Sequence, residues 1–438
     1  MSPSILIKNA TCVSSKGMIS QDVLLKDGKI AELGKLPDRQ AEHIIDATNL
    51  YLLPGALDPQ VHFRDPGLTH KEDLRTGSMA AAAGGVTSFF DMPNTNPSTT
   101  TIDTMIDRKA SAASKCVVNY NFFMGATPDN VAVLNEVENV PGIKIFMGSS
   151  TGNLLVNELD ALDNIFGHGS RLIAVHAEDD EIINAAKEIY KNSTDFNHHQ
   201  FVRPSDAALK ATTLAVELSI KYQRRLHILH LTTKDEVEYL RIQKSKAPIS
   251  AEVCPQHFLL SAPQIYNKLG AYAQMNPPIR DMSHGEALWA GLKEGIIDCI
   301  ATDHAPHTHA EKAKPFGSAP SGMPGVETSL PLMLDRANRG LCTLENVVKW
   351  MCEKPVELYR VKGKGRIAPG FDADLVLVDM QKKRTIRNGE LFTKVNWSPY
   401  DGWQTTGWPV KTIVNGVIVF DEGQINEAVK GKEIQIDF

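Results

Sequence analysis

Side chains that can bind a metal or move a proton recur in this sequence directly behind short apolar runs. Asp58-Pro-Gln60-Val-His62-Phe-Arg64 follows the first run, and Asp91-Met-Pro-Asn94 closes the second. Lys144 lies inside an Ile-Lys-Ile-Phe-Met stretch, His176-Ala-Glu178 ends a later run, and His230 ends the next. Glu252-Val-Cys-Pro-Gln256-His257 and Thr302-Asp303-His304-Ala-Pro-His307 complete the series. Taken singly, each has an ordinary structural explanation: a hydrogen-bonded histidine, a surface lysine, an Asp-His loop cap. Their recurrence at the same end of successive runs argues for one shared site. Imidazole and carboxylate ligands suit zinc, and histidines from separate strands can converge on one ion.

The elements that would position these residues are eight apolar runs, at 56–57, 86–90, 117–123, 143–147, 172–175, 226–229, 249–253 and 296–301. Helix-compatible stretches, such as 179–190 and 205–222, separate them. Buried parallel strands read as continuous apolar runs, and alternation with helices implies βαβ units. Eight units close into a TIM (β/α)₈ barrel, whose site is built at the carboxyl ends of its strands. The chain ends read differently. Asp27-Gly28 and Asn415-Gly416 each sit between apolar stretches, the signature of a tight hairpin. The expected division is a (β/α)₈ barrel over 54–358 and a small β-sandwich-like domain made from 1–53 together with 359–438. The 198–203 segment reads as the start of the next helix rather than as support for the fifth strand's loop. The 307–320 loop is a candidate to close over a substrate.

Bulk properties narrow the class. The chain has 438 residues, 42% hydrophobic and 22% charged, with a net charge of −6. That is the balance of a globular protein, without the basic face that nucleic-acid binding requires. No apolar run approaches the ~20 residues that span a bilayer, and the first ten residues show no secretory leader. Cysteines at 12, 116, 254, 299, 342 and 352 form no CxxC pair. This pattern fits reduced thiols in a cytoplasmic enzyme better than a disulfide framework.

Several longer motifs, in this order, resemble the amidohydrolase superfamily and, within it, the dihydroorotases. They are His62-Phe-Arg64-Asp-Pro-Gly, Asp91-Met-Pro-Asn94-Thr, Val175-His176-Ala-Glu, Asn276-Pro-Pro-Ile-Arg280, Thr302-Asp303-His304-Ala-Pro-His307 and Gly322-Met-Pro-Gly-Val-Glu-Thr. The resemblance covers nearly the whole chain. It implies one or two zinc ions per chain: His176 and His230 on one, His62 and Asp303 on the other, and a carbamate on Lys144 bridging both. An ammonium repels a cation, whereas carbamylation turns it into a bidentate anion. Metals of this kind make water nucleophilic near neutral pH, and Asp303 would shuttle the proton. The implied reaction is the reversible cyclisation of N-carbamoyl-aspartate to dihydroorotate in pyrimidine biosynthesis. Arg64 would grip the substrate carboxylate bidentately, with Asn94 as a further donor. Asn276 would position the ring and His307 would contact ring or carboxylate. The resemblance also implies a homodimer.

Two departures from the family pattern matter. The family's first strand carries His-x-His, and here the first of these is Gln60. An amide oxygen binds zinc more weakly than imidazole, so one metal would be weakened or missing. The alternative from another class is a non-catalytic partner of aspartate transcarbamoylase; survival of Lys144, His176, His230, Asp303, Arg64 and Asn94 favours an active site. The second departure is Cys254-Pro-Gln256-His257, where the family often has two histidines, and the sequence assigns that position no role. A hydantoinase, dihydropyrimidinase or allantoinase would share the barrel and the metals but would give Arg64 nothing to do.

Overall fold

The computed structural model describes residues 3–148 and 154–437. Eight strands follow one another in parallel around a barrel. They are Ala56–Val61, Val86–Asp91, Asn119–Phe122 continued by Met124–Gly125, Ile143–Phe146, Ile173–His176, Leu226–Ile228, Ile249–Val253 and Cys299–Ile300. The ring closes where Val61 bridges His304 and the His62 amide donates to the His304 carbonyl at 2.7 Å. All residues of these strands are buried. That is why most of them read as largely apolar runs rather than as strict apolar–polar alternations.

Each run recognised in the sequence contains a strand, though two differ in extent. The first extends to Val61, with its register to the second strand interrupted between Asp58 and Val61. Pro59, which has no amide proton to give a ladder, lies in that interruption. The eighth is shorter than its run. Gly295, at φ 80°, ends the preceding helix Met282–Glu294 in a left-handed cap. Ile296 and Ile297 then donate back to the Gly291 carbonyl, so the apolar residues 296–297 finish a helix before the strand begins.

Strands from both chain ends form one nine-stranded sheet. The two sets meet where Leu375–Thr385 runs antiparallel to Tyr51–Pro54, with Leu375 opposite Pro54. Both expected hairpins are present. Asp27 and Gly28 have φ of 53° and 77°, and Asn415 and Gly416 have 51° and 78°. Paired positive φ values give the two-residue turn whose twist matches the strands it joins. The two turns touch, and a Cβ on Gly416 would lie 2.9 Å from the Gly28 Cα.

The sheet is pinned to the barrel at the end away from the carboxyl termini of the strands. Asn119, which begins the third barrel strand, donates to Asp374 at 2.9 Å and accepts from Asn415 at 2.9 Å. The C-terminal segment continues this edge. Gly431 donates to the Cys116 carbonyl, and Ile434 to that of Tyr120, both at 2.9 Å. All six cysteines are unpaired, and five are buried. Among the described residues, no helix is long and apolar enough to cross a membrane.

The close approach at Gly431 gives a test. A Cβ there would collide with the Val118 carbonyl. Gly431→Ala should therefore destabilise the protein by about 1–3 kcal/mol, the usual cost of forcing atoms into a packed site. An unchanged urea midpoint would show that the C-terminal segment carries no load.

Candidate active site at the mouth of the barrel

At the carboxyl ends of the strands lies a cavity of about 290 Å³. Its walls include all ten residues singled out in the sequence: Gln60, His62, Arg64, Asn94, Lys144, His176, His230, Asn276, Asp303 and His307. Three of them leave their strands through left-handed backbone, with φ of 62° at Arg64, 37° at His230 and 47° at Asp303. Such conformations cost a non-glycine residue about 1–3 kcal/mol and persist where the surroundings impose them.

On one side of the cavity, two imidazoles face each other. His176 Nδ1 lies 3.1 Å from His230 Nε2. Behind His176, its Nε2 donates to Glu178 at 2.8 Å, and Glu178 is ion-paired with Arg203. The Arg203 Nε donates to both Glu178 oxygens, at 3.0 and 3.1 Å. Burial alone would raise the Glu178 pKa, but Arg203 and His176 hold it well below the carboxylate range. An ionised Glu178 places the His176 proton on Nε2 and turns the Nδ1 lone pair into the cavity, as an orienting partner does for a metal-binding histidine. Burial lowers the pKa of both rings and so disfavours their cationic forms. The other nitrogen of His230, Nδ1, is buried without a hydrogen-bond partner among the described residues.

On the other side, Asp303 Oδ1 collects two contacts. Gln60 Nε2 donates at 3.1 Å, and His62 Nε2 lies at 3.1 Å. The remaining His62 nitrogen donates to Asn94 Oδ1 at 2.7 Å. Burial opposes ionisation of Asp303, but the hydrogen bond and charge of His62, with His230 and Lys144, outweigh it and lower the pKa to about 2. Gln60 Oε1 is buried with no partner among the described residues. Between the two groups stands Lys144, 1% exposed. Burial draws its pKa down to about 7 against the fields of Asp303 and Glu252, so near neutral pH much of it is a free amine.

Lone pairs on His176, His230, Gln60 and Asp303, with a nucleophilic amine among them, fit a cation site. A tighter set of conventional ligands, His227, Glu252 and Cys299, is fully buried in the barrel. Its imidazole is already committed: Nδ1 to Ser250 at 2.8 Å and Nε2 to Glu252 at 3.0 Å.

Arg64 is buried yet has no carboxylate within ion-pair distance among the described residues. Its Nε donates to the Pro306 carbonyl at 3.3 Å. The adjacent Asp65 pairs instead with Lys115 at 2.7 Å, so a surface Arg64–Asp65 bridge is not the role of Arg64. Asn276 Oδ1, also on the cavity wall, is buried without a partner among the described residues.

Sequence reasoning missed several contributors. Arg203 was expected only to start a helix, but it supports the fifth strand's loop through Glu178; a long-range ion pair has no local signal. The Gln256-His257 pair also has a role. Gln256 donates to the Thr302 carbonyl at 2.6 Å, beside Asp303, and His257 to the Pro277 carbonyl at 3.1 Å, beside Asn276. Lys71, in the loop after the first strand, lines the cavity as well. In sequence it is one charge among His70-Lys71-Glu72-Asp73.

A barrel with this polar mouth is the architecture of the amidohydrolases. Residues 51–419 match the model of the amidohydrolase family, and the chain belongs to that family. Its relatives include the dihydroorotase of Methanosarcina acetivorans, 36% identical over 97% of this chain and 93% of that protein. The dihydroorotase of Halobacterium salinarum is 35% identical over 95% of this chain and 99% of its own length. Among solved structures, the L-hydantoinase of Arthrobacter aurescens superposes with a TM-score of 0.94 at 30% identity, covering 99% of this chain and 100% of that one.

The buried Glu178–Arg203 pair is directly testable. Arg203→Leu would strand an anion in the protein interior, which costs about 3–5 kcal/mol. Denaturant titration should show a loss of that size. A loss below about 1 kcal/mol would mean that Glu178 escapes to water.

Proposed function

We propose that this protein is a zinc-dependent dihydroorotase, interconverting dihydroorotate and N-carbamoyl-aspartate. The observation that carries the reading is Arg64. It is a buried guanidinium on strained backbone, two residues from His62, facing the cavity with no carboxylate within ion-pair distance among the described residues. An uncompensated buried cation is costly, and a substrate carboxylate would compensate it bidentately. Neutral rings such as hydantoin or allantoin offer no such group. The full-length similarity to dihydroorotases supports the same substrate.

In this reading His176, His230, His62, Asp303 and a carbamate on Lys144 would hold the metal, which when bound would polarise the ring carbonyl and activate water. The low pKa of Lys144 suits carbamylation, because only the free amine attacks CO₂. Asp303, ionised at neutral pH, accepts the water's proton on its carboxylate and delivers it to the ring nitrogen as the carbon–nitrogen bond breaks. The attacking oxygen becomes part of the new carboxylate. In the cyclising direction the same proton travels back. Arg64 and Asn94 hold the retained carboxylate, and Asn276 Oδ1 accepts a ring N–H. Gln60 lies against Asp303 Oδ1, where its amide oxygen could reach the same ion as a weaker ligand than imidazole. That leaves an unequal metal pair, or a single metal, without removing the proton carrier.

The test is hydrolysis of dihydroorotate by zinc-loaded protein, with hydantoin and allantoin in parallel. Turnover of dihydroorotate alone is expected, and Arg64→Ala should lower its kcat/KM by about 30-fold or more, the usual loss for one side of a buried charge pair. Turnover of a neutral ring that survives Arg64→Ala would replace this reading with a hydantoinase-like one. Folded, metal-bearing protein that turns over none of the three would point to the non-catalytic partner.

A further inference from the structure

The cavity holds one cation that the proposed chemistry does not use. Lys71 Nζ lies 3.3 Å from His307 Nδ1 and 3.0 Å from Glu311 Oε1. The His307 ring fixes the direction of these contacts. Its Nε2 lies 3.0 Å from the Ser321 carbonyl oxygen, which can only accept, so Nε2 carries the proton and Nδ1 accepts from Lys71. Arg64 Nη2, 3.3 Å from the same Nε2, then faces another donor. That N–H gains no acceptor from His307 and is open to a ligand.

Two side-chain cations, Arg64 and Lys71, thus flank His307 at the cavity wall. Among the described residues, one carboxylate, Glu311, lies within ion-pair distance of either. Asp303, Asp91 and Glu72 act on Arg64 only through space. Glu311 has partners besides Lys71. Its Oε2 accepts from the Thr308 amide at 3.0 Å and from the Thr308 hydroxyl at 3.2 Å, in the cap of the short helix His309–Lys312. Glu311 is also partly open to solvent. Lys71 can leave Glu311 without stranding a buried charge, and a flexible lysine stem lets one ammonium exchange between two carboxylates.

We propose that Lys71 is a second specificity-determining cation, which exchanges Glu311 for the retained carboxylate of the substrate and with Arg64 selects acidic rings over neutral ones. This deepens, and rests on, the dihydroorotase reading. The carboxylate offers both oxygens to Arg64, and the free lone pair of one goes to Asn94 and of the other to Lys71. Glu311 is a competitor that holds the ammonium at the cavity until substrate arrives.

The test is steady-state kinetics of the wild type, Lys71→Met, Lys71→Arg and Glu311→Gln. The substrates are dihydroorotate and dihydrouracil, the same ring without the carboxylate. Lys71→Met should raise the KM for dihydroorotate about tenfold or more, the worth of a charge-assisted hydrogen bond, with kcat nearly unchanged. The preference for dihydroorotate over dihydrouracil should fall by the same factor. Lys71→Arg should restore most of that preference, and Glu311→Gln should leave the dihydroorotate KM at or below its wild-type value. If Lys71 only anchors the loop, Glu311→Gln will raise KM as Lys71→Met does, or both rings will suffer equally from Lys71→Met. Either result overturns the proposal while leaving the dihydroorotase reading intact. A wild-type enzyme that does not turn over dihydroorotate defeats both.

Discussion

A buried amine with no ion-pair partner among the described residues is the constraint around which the mouth of the barrel is arranged. Lys144 is removed from water by the strands around it, and burial costs an ammonium dearly unless it is paired. Here its pKa drops to about 7, leaving a neutral nucleophile at the centre of the site. His176 and His62 share a plan, each held from behind by a hydrogen-bonded partner. His176 is bonded behind by Glu178 and His62 by Asn94, while His176 Nδ1, among the described residues, meets the neighbouring imidazole. Gln60 Oε1 and Asn276 Oδ1 have no hydrogen-bond partner among the described residues. A buried polar atom without a partner calls for an explanation, and at the cavity wall a bound ligand would supply one.

Holding such a site open depends on the scaffold behind it. Glu72 is fully buried and lies 3.3 Å from His304 Nε2, next to Asp303 in the chain. The same carboxylate accepts from the Thr393 hydroxyl at 2.5 Å and from the Lys394 amide at 3.2 Å. One side chain therefore joins the first strand's loop, the end of the eighth strand and the chain beyond the barrel. His304 also accepts from the Gly325 amide at 3.1 Å. Trp397 donates to the His307 carbonyl at 2.8 Å. The segment after the barrel is thus part of what fixes Asp303 and His307, although it contributes no group to the chemistry.

Legibility in the sequence followed the range of each interaction. The barrel strands were readable because parallel strands buried on both faces need uninterrupted apolar residues, and the hairpins because paired positive φ values favour Asn-Gly and Asp-Gly. The eighth strand was misjudged in extent because apolar residues 296 and 297 serve a helix end, which hydropathy cannot distinguish from a strand start. Most site residues were readable because they lie in a barrel strand or just beyond its carboxyl end and have a distinctive chemical type. What escaped was support that crosses the fold: Arg203 behind Glu178, Gln256 behind Thr302, His257 behind Pro277. Each is a polar residue in an ordinary helical or loop context, and only three-dimensional proximity gives it a task. Lys71 escaped for the opposite reason, being one charge among several in a polar loop.

The account turns on Lys144 acting as a carbamylated anion at the centre of a metal site, and carbon-13 NMR tests this directly. Zinc-loaded protein equilibrated with ¹³C-bicarbonate should show a carbamate carbonyl resonance of one equivalent per chain, absent in Lys144→Ala, which should also lose most of its zinc. A spectrum without that resonance, from protein that retains its zinc and its turnover, would contradict the account, because the buried amine would then have no part in holding the metal.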